Sequence, residues 1–216
     1  MLRSLIVSLA LIGVFAPRFS FAQVTPTPTC GTYQNSISFD NSAGFTSNGA
    51  LVTSASFSFN STSTNVSNSI LILQAQIGDT VNNVAGATYN GVALTNIRQD
   101  TSFLNGDGME TWYLDNPSPG NHTLVVTFTG SCSCHLGVMA YDGVNPSNPI
   151  GAQAFFSNGE AEAQTITIPT TGNYSYLLSF CDTTPGSPAI TLGSGQNQRW
   201  FDNDNHDTIG DDMATT

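Results

Sequence analysis

The sequence predicts an all-β fold, an antiparallel β-sandwich or jelly-roll-like domain. Three observations support this prediction. Apolar and polar residues alternate with period two along several segments, Gly, Pro and Asn clusters separate those segments, and no long stretch beyond residue 29 has the three-and-four spacing of an amphipathic helix. Short strands at this spacing pack as two antiparallel sheets.

The first 22 residues have the features of a secretory signal peptide. Arg3 supplies positive charge, the 12-residue apolar run from Leu5 to Ala16 follows, and Ser20 and Ala22 place small residues where a signal peptidase cleaves. The run is shorter than the roughly 20 residues of a membrane-spanning helix, so we expect cleavage rather than an uncleaved anchor. Residues 23–34 then predict a Pro/Thr-rich linker, and residues 35–216 predict the sandwich domain.

Five segments carry the strand pattern. The segment Ile70 to Ile77 begins apolar on both faces, which predicts a central strand. The other four have one apolar face: Leu51 to Phe59 (Leu51, Ala55, Phe57 and Phe59 inward), His122 to Thr129 (Leu124, Val126 and Phe128 inward), Ala163 to Ile168, and Tyr174 to Cys181.

Turn residues separate these strands. Asn90-Gly91 predicts a tight type I′ hairpin, and the segment from Pro117 to Gly120 predicts a turn. The chain ends at Asp212 to Thr216 without a closing apolar strand. We therefore expect the sandwich to lack its last strand or strands and the chain to be a fragment of a longer product.

The charge balance excludes some classes of partner. The chain has no lysine, and after loss of Arg3 and Arg18 the two remaining arginines face 15 acidic residues, a formal charge of −13. Such a chain has no basic surface for the phosphates of nucleic acid or for anionic lipid headgroups. We expect a secreted or cell-surface protein with no nucleic-acid partner and no membrane insertion after signal removal.

Residues 88–150 carry a family pattern. Thr88-Tyr89-Asn90-Gly91-Val92-Ala93-Leu94-Thr95 is followed by Trp112-Tyr113-Leu114-Asp115-Asn116-Pro117 and by Tyr141-Asp142-Gly143-Val144. This resembles a β-sandwich domain of uncharacterised secreted and cell-surface prokaryotic proteins, with a YNGxxLT hairpin, a WYLxNPxxG segment and a YxGV strand end. The resemblance covers about a third of the chain and implies a sandwich fold, a surface location and an adhesive role, and it implies no catalytic residue.

The four cysteines are Cys30, Cys132, Cys134 and Cys181. An even number in an exported chain favours two disulfides. Because a Cys132–Cys134 ring would be tight, we expect one of these two to pair with Cys30 and the other with Cys181, with both connectivities open. On a single strand, Cys132 and Cys134 would both point inward. The alternative is a thiolate metal site at Cys132-x-Cys134-His135.

Candidate catalytic residues are scattered. The three histidines have no Ser-His-Asp spacing around them. Glu110 and Asp115 are five residues apart on one strand and point to opposite faces, and Glu160 with Glu162 lie in a Gly/Ala-rich segment. A divergent glycan hydrolase would need two of Glu110, Glu160, Glu162, Asp202 and Asp204 to converge. We therefore predict no enzyme activity.

Two features suggest a ligand. Asp202, Asp204 and Asp207 are oxygen donors in the densest acidic run, so calcium is the cofactor that this run would suit. We place Trp112 inward, and Tyr113, Trp200 and Phe201 are candidate exposed rings for stacking on sugars. The sequence thus predicts a non-catalytic surface module with a structural or adhesive role. The alternative is a lectin-like carbohydrate-binding module, with or without calcium, whose partners would be glycans or other surface proteins.

Overall fold

The computed structural model describes residues 5–8, 37–63, 66–78, 82–101, 107–158, 167–169, 175–183, 190–202 and 208–214. These residues form antiparallel strands and one 3₁₀ turn, Val66–Asn68, and contain no α-helix. The strands are β1 Leu5–Ser8, β2 Ser38–Thr46, β3 Val52–Ser61, β4 Ser69–Ile77, β5 Val84–Tyr89, β6 Val92–Ala93, β7 Thr95–Thr101, β8 Gly108–Asp115, β9 Gly120–Cys132, β10 Cys134–Asp142, β11 Phe155–Asn158, β12 Tyr176–Asp182, β13 Asn197–Asp202 and β14 Thr208–Ala214.

The strands form three sheets stacked in layers. Sheet 1 has the order β3-β9-β5-β6, sheet 2 has the order β2-β10-β4-β8-β7, and sheet 3 has the order β11-β1-β12-β14-β13. Sheets 1 and 2 enclose one apolar core, and sheets 2 and 3 enclose a second. The predicted antiparallel β-sandwich is confirmed, and sheet 3 adds a layer that the two-sheet prediction did not contain.

Strand β4 explains why sheet 2 is the middle layer. Every residue of this strand is buried. Leu71 and Leu73 pack into the core shared with sheet 1, while Ile70 and Ile72 pack into the core shared with sheet 3. Burial of a Leu or Ile side chain contributes about 1.5–3 kcal/mol, so a strand with apolar residues on both faces is most stable between two layers.

The predicted facing of sheet 1 is largely confirmed. Leu124, Val126 and Phe128 of β9 and Ala55 and Phe59 of β3 belong to the core shared with sheet 2. The hairpin residues Asn90 and Gly91 both have positive φ values, 51° and 77°, as a type I′ turn requires. The inward placement of Leu51 is wrong, because this residue precedes β3 and is 69% exposed.

The second core depends on two glycines. Trp200 of β13 lies against Gly137 of β10 and Gly210 of β14, where an added Cβ would overlap the indole ring. The Trp200 Nε1 donates to Gln74 Oε1 at 3.0 Å, and Gln74 Nε2 donates to the Ser179 carbonyl at 3.2 Å. Sheet 3 is therefore attached to sheet 2 by a buried ring and by polar bonds.

The last described segment corrects the prediction for the C-terminal residues. We expected no closing strand, but Thr208–Ala214 forms β14 and pairs with both β12 and β13. Its sequence reads as polar because Asp211 and Asp212 occupy the middle of the strand. Both are buried, and both carboxylates accept hydrogen bonds from side chains of neighbouring strands and loops.

Three predicted elements lie wholly or partly outside the described residues. Strand β1 falls within the predicted signal peptide and pairs with β11 and β12, whereas all strands of sheets 1 and 2 come from residues 38–142. The 23–34 linker lies outside the described residues. So does most of the predicted strand from Ala163 to Ile168, of which residues 167 and 168 are described and form no strand.

Candidate functional site

The three aromatic residues predicted to stack on sugars have different environments. Trp200 is 5% exposed, so its predicted role as an exposed ring is wrong. Tyr113 is partly buried against the second core because sheet 3 covers the face that we predicted to be open, while Trp112 packs in the first core as predicted. Phe201 remains an exposed ring, at 43%.

The predicted calcium residues are only partly described. Asp202 ends β13, and its Oδ2 lies 2.7 Å from His135 Nδ1 of β10, so this carboxylate joins sheet 3 to sheet 2. Asp204 and Asp207 lie outside the described residues. Within the described ranges, no three His, Cys, Asp or Glu side chains converge to hold a metal ion.

The cysteines lie in two separate cores. Cys132 and Cys134 point into the core between sheets 1 and 2, as predicted, although β9 ends and β10 begins between them. Cys181 packs with Ile209 in a third apolar cluster with Ile190 and Leu192. Among the described residues Cys132, Cys134 and Cys181 have free thiols, so the structure does not show the predicted bridge to Cys181, and Cys30 lies outside the described residues.

The candidate acid Glu110 accepts hydrogen bonds that hold neighbouring parts of the fold together. Its Oε1 accepts a 2.8 Å bond from the Val84 backbone N–H, and its Oε2 accepts bonds from Trp112 Nε1 at 2.9 Å and Asn96 Nδ2 at 3.4 Å. Burial raises the pKa of Glu110, and the donors partly offset this rise. The carboxylate holds the start of β5 and the indole of Trp112 in place.

The candidate acids do not converge. Glu110 faces sheet 1 from sheet 2, whereas Asp202 contacts sheet 2 from sheet 3, so the central sheet separates these two carboxylates. Glu160, Glu162 and Asp204 lie outside the described residues. The described part of the chain therefore brings no two predicted acids into one cleft.

The outward face of sheet 1 is uncharged and bears short side chains. Strands β3, β5, β6 and β9 contain no Asp, Glu, Lys or Arg. Two rows of directly paired residues cross this face, Ser54–Thr127–Gly86 and Ser56–Val125–Thr88. Neighbouring strands are about 4.8 Å apart and same-face residues about 6.8 Å apart along a strand, so the hydroxyl and methyl groups form a regular array.

A cleft opens at the other side of the molecule, between sheet 2, sheet 3 and the segment 149–153. Its volume is about 110 Å³. A β-bulge at Ile97 of β7 directs both Ile97 and Arg98 towards it. The apolar wall residues are Ile72, Ile97, Pro149, Ile150 and Leu178, and the polar ones are Gln74, Arg98, Thr111, Gln153 and Tyr176.

Searches against protein-family models, curated proteins and solved structures gave no match. Within the described residues, no helix is long and apolar enough to cross a lipid bilayer. The sequence interpretation did not identify the cleft, although one signal was available: Arg98 is one of only two arginines beyond the predicted signal peptide.

Proposed function

We propose that this chain is a non-catalytic extracellular or cell-surface β-sandwich module with a structural or adhesive role. The observation that carries the proposal is the uncharged outward face of sheet 1. In a chain of net charge −11, this face offers hydroxyl and methyl groups at regular spacing and no charged side chain. A neutral face of this kind can approach another surface without burying an unpaired charge.

The hydrogen-bonded carboxylates support the same proposal. Glu110, Asp202 and Asp212 each accept hydrogen bonds that join strands or sheets. A general acid or base needs access to substrate, whereas these groups are engaged in structural contacts. Their positions favour a role in holding the three layers together.

The adhesion test compares two double variants that change the charge equally. Ser56→Glu with Thr127→Glu places two charges at the centre of the sheet 1 face, and Thr95→Glu with Gln99→Glu places two on the exposed edge strand β7. We expect beads coated with the protein to adhere to cellulose, chitin or beads carrying the same protein, and only the first variant to lose adhesion. Equal loss in both variants, or no adhesion by the unmodified protein, would contradict the proposal.

A turnover assay tests the absence of catalysis separately. We expect no hydrolysis on a broad panel of glycans and esters. Turnover that disappears on a single carboxylate substitution, with folding retained, would overturn the non-catalytic proposal.

The carbohydrate-binding alternative is favoured by a different observation. Asn60 and Asn121 are directly paired and exposed at one end of the sheet 1 face, where their amides can both donate to and accept from sugar hydroxyls. A glycan array with and without a chelator tests this alternative and its calcium dependence. An empty array under both conditions would remove it.

A further inference from the structure

We propose that the cleft beside Arg98 binds a small carboxylate with an apolar body. This inference goes beyond the surface role proposed above, because the cleft lies between sheets 2 and 3 and not on the outward face of sheet 1. The argument depends on the position of the guanidinium, the character of the walls and the size of the space.

The guanidinium of Arg98 is held in place by two contacts, and only its Nε donates a hydrogen bond among the described residues. Arg98 Nε donates to Asp100 Oδ2, and its Cζ lies 5.6 Å from the centre of the Phe155 ring. The Arg98 side chain is 26% exposed, and its two Nη groups make no hydrogen bond within the described residues. A carboxylate binds in bidentate fashion to such an open guanidinium edge.

The ion pair with Asp100 does not prevent a carboxylate from binding to Arg98. Asp100 accepts from Nε, on one side of the guanidinium fork, and compensates the charge of Arg98. An incoming carboxylate would need only the Nη edge. The pair therefore orients the fork in advance, which lowers the entropic cost of binding.

The walls match a hydrocarbon group. Ile72, Ile97 and Leu178 line the cleft together with Pro149 and Ile150. Gln74 contributes little to recognition, because both ends of its amide are engaged with Trp200 and Ser179. A ligand that places its carboxylate at Arg98 would thus place its remaining atoms against apolar side chains.

The volume limits the size of the ligand. A cavity of about 110 Å³ is somewhat smaller than the roughly 150 Å³ engineered cavity that holds benzene. The cleft is open on one side, so it can hold one short chain or one ring whose charged group reaches the mouth. The same chemistry occurs in a free organic acid and in the C-terminal residue of a peptide. For either, a ligand of this size binds with Kd on the order of 1 mM.

The first arm of the test needs no variant. Benzoate and benzamide have the same ring and nearly the same shape, but only benzoate carries a charge. We expect benzoate to shift the amide resonances of residues 97–98, 150–153 and 176–178 in a titration, and benzamide to bind at least tenfold more weakly. Equal affinity for the two compounds, shifts confined to another surface, or no binding at about ten times the ~1 mM expected would overturn the proposal.

The second arm uses matched variants and identifies the source of the carboxylate. Arg98→Gln should weaken benzoate binding at least tenfold and leave benzamide unchanged, while Gln99→Ala, on the same strand and exposed, should change neither. An unchanged benzoate affinity in Arg98→Gln would contradict the assignment. A tetrapeptide ending in leucine then shows whether a peptide C-terminus binds better than benzoate. This peptide is measured with a C-terminal carboxylate and with a C-terminal carboxamide. Tighter binding of the carboxylate peptide supports the proposal, and equal binding of the two peptides would overturn it.

Discussion

The hydroxyl of Tyr141 donates a 2.7 Å hydrogen bond to Oδ2 of Asp212, which joins strand β10 of the central sheet to strand β14 of sheet 3. Arg199 completes this contact, with Nε 2.6 Å from Oδ2 and Nη2 2.8 Å from Oδ1 of the same carboxylate. Burial, followed by the charge of Asp212, raises the pKa of Tyr141, so the phenol remains a donor. Asp212 is fully buried, so its carboxylate joins Arg199 of sheet 3 and Tyr141 of the central sheet in one buried polar contact.

The first prediction concerns Arg199. Its replacement in Arg199→Met leaves the buried carboxylate of Asp212 without its cation, which should lower the free energy of unfolding by about 3–5 kcal/mol. Urea denaturation at pH 7 measures this change. The control is Arg98→Met, which removes a less buried pair with Asp100 (side chains 26% and 9% exposed, against 18% and 0% for Arg199 and Asp212) and should cost clearly less. Similar losses in both variants would show that the Arg199–Asp212 pair has no special structural role.

The second prediction concerns the pH dependence of stability. Burial raises the pKa of Asp211 from 3.8 to about 6, although Ser179 and Gln196 donate to its carboxylate. Because the folded pKa lies above the unfolded one, the fold favours the protonated acid. The resulting stabilisation is complete below about pH 4 and is lost as the pH rises through about 6.

Asp211→Asn tests this prediction, because the amide cannot ionise. The free energy of unfolding of the unmodified protein, measured relative to that of the variant, should fall by about 2–3 kcal/mol between pH 4 and pH 7. Urea titrations at several pH values give the difference curve. Parallel pH profiles for the two proteins would show that Asp211 does not titrate in this range.

Sequence patterns predicted the sandwich well because the rule behind it is local. Alternation placed Leu124, Val126 and Phe128 in the core, and the Asn90-Gly91 pair specified its own turn. The third sheet was not predicted, although the apolar residues on both faces of Ile70 to Ile77 imply two covering layers. The partner of the second face is β12 to β14, far along the chain, and nothing in its local sequence indicates where it packs.

The candidate site could not be predicted for a related reason. Asp211 and Asp212 appear exposed from the sequence until their hydrogen-bond donors are known, and those donors come from strands β10, β12 and β13 and from the segment before β13. The sequence suggests that the Trp200 ring is exposed, because it does not show that Gly137 and Gly210 pack against this ring in the fold. The β-bulge in β7 turns the Arg98 side chain towards the cleft, and no residue type in the local sequence predicts that bulge.

The third prediction concerns the thiols. Burial raises the pKa of Cys134 to about 12 and also raises the pKa of Cys181, so neither forms the reactive thiolate in the folded protein at pH 8. Both should resist iodoacetamide in buffer and react fully in urea without reductant. Peptide mass spectrometry locates the label, and a reduced sample gives the full count. If Cys134 or Cys181 reacts in urea only after reduction, it is held in a disulfide, as the sequence interpretation predicted and the structure does not show.

The fourth prediction concerns the contact between sheets 2 and 3. In Gly137→Ala the added methyl group would overlap the Trp200 ring, so the ring must leave its place against the central sheet. We expect a loss of at least about 1–3 kcal/mol in the free energy of unfolding and a red shift of tryptophan fluorescence as the indole becomes exposed. The control is Gly44→Ala in β2, where the nearest atom to the new methyl is the Leu136 carbonyl oxygen at 3.7 Å, an ordinary contact. If Gly137→Ala is as stable as Gly44→Ala and its emission is unchanged, Trp200 is not packed on Gly137, and sheet 3 does not cover the central sheet as described.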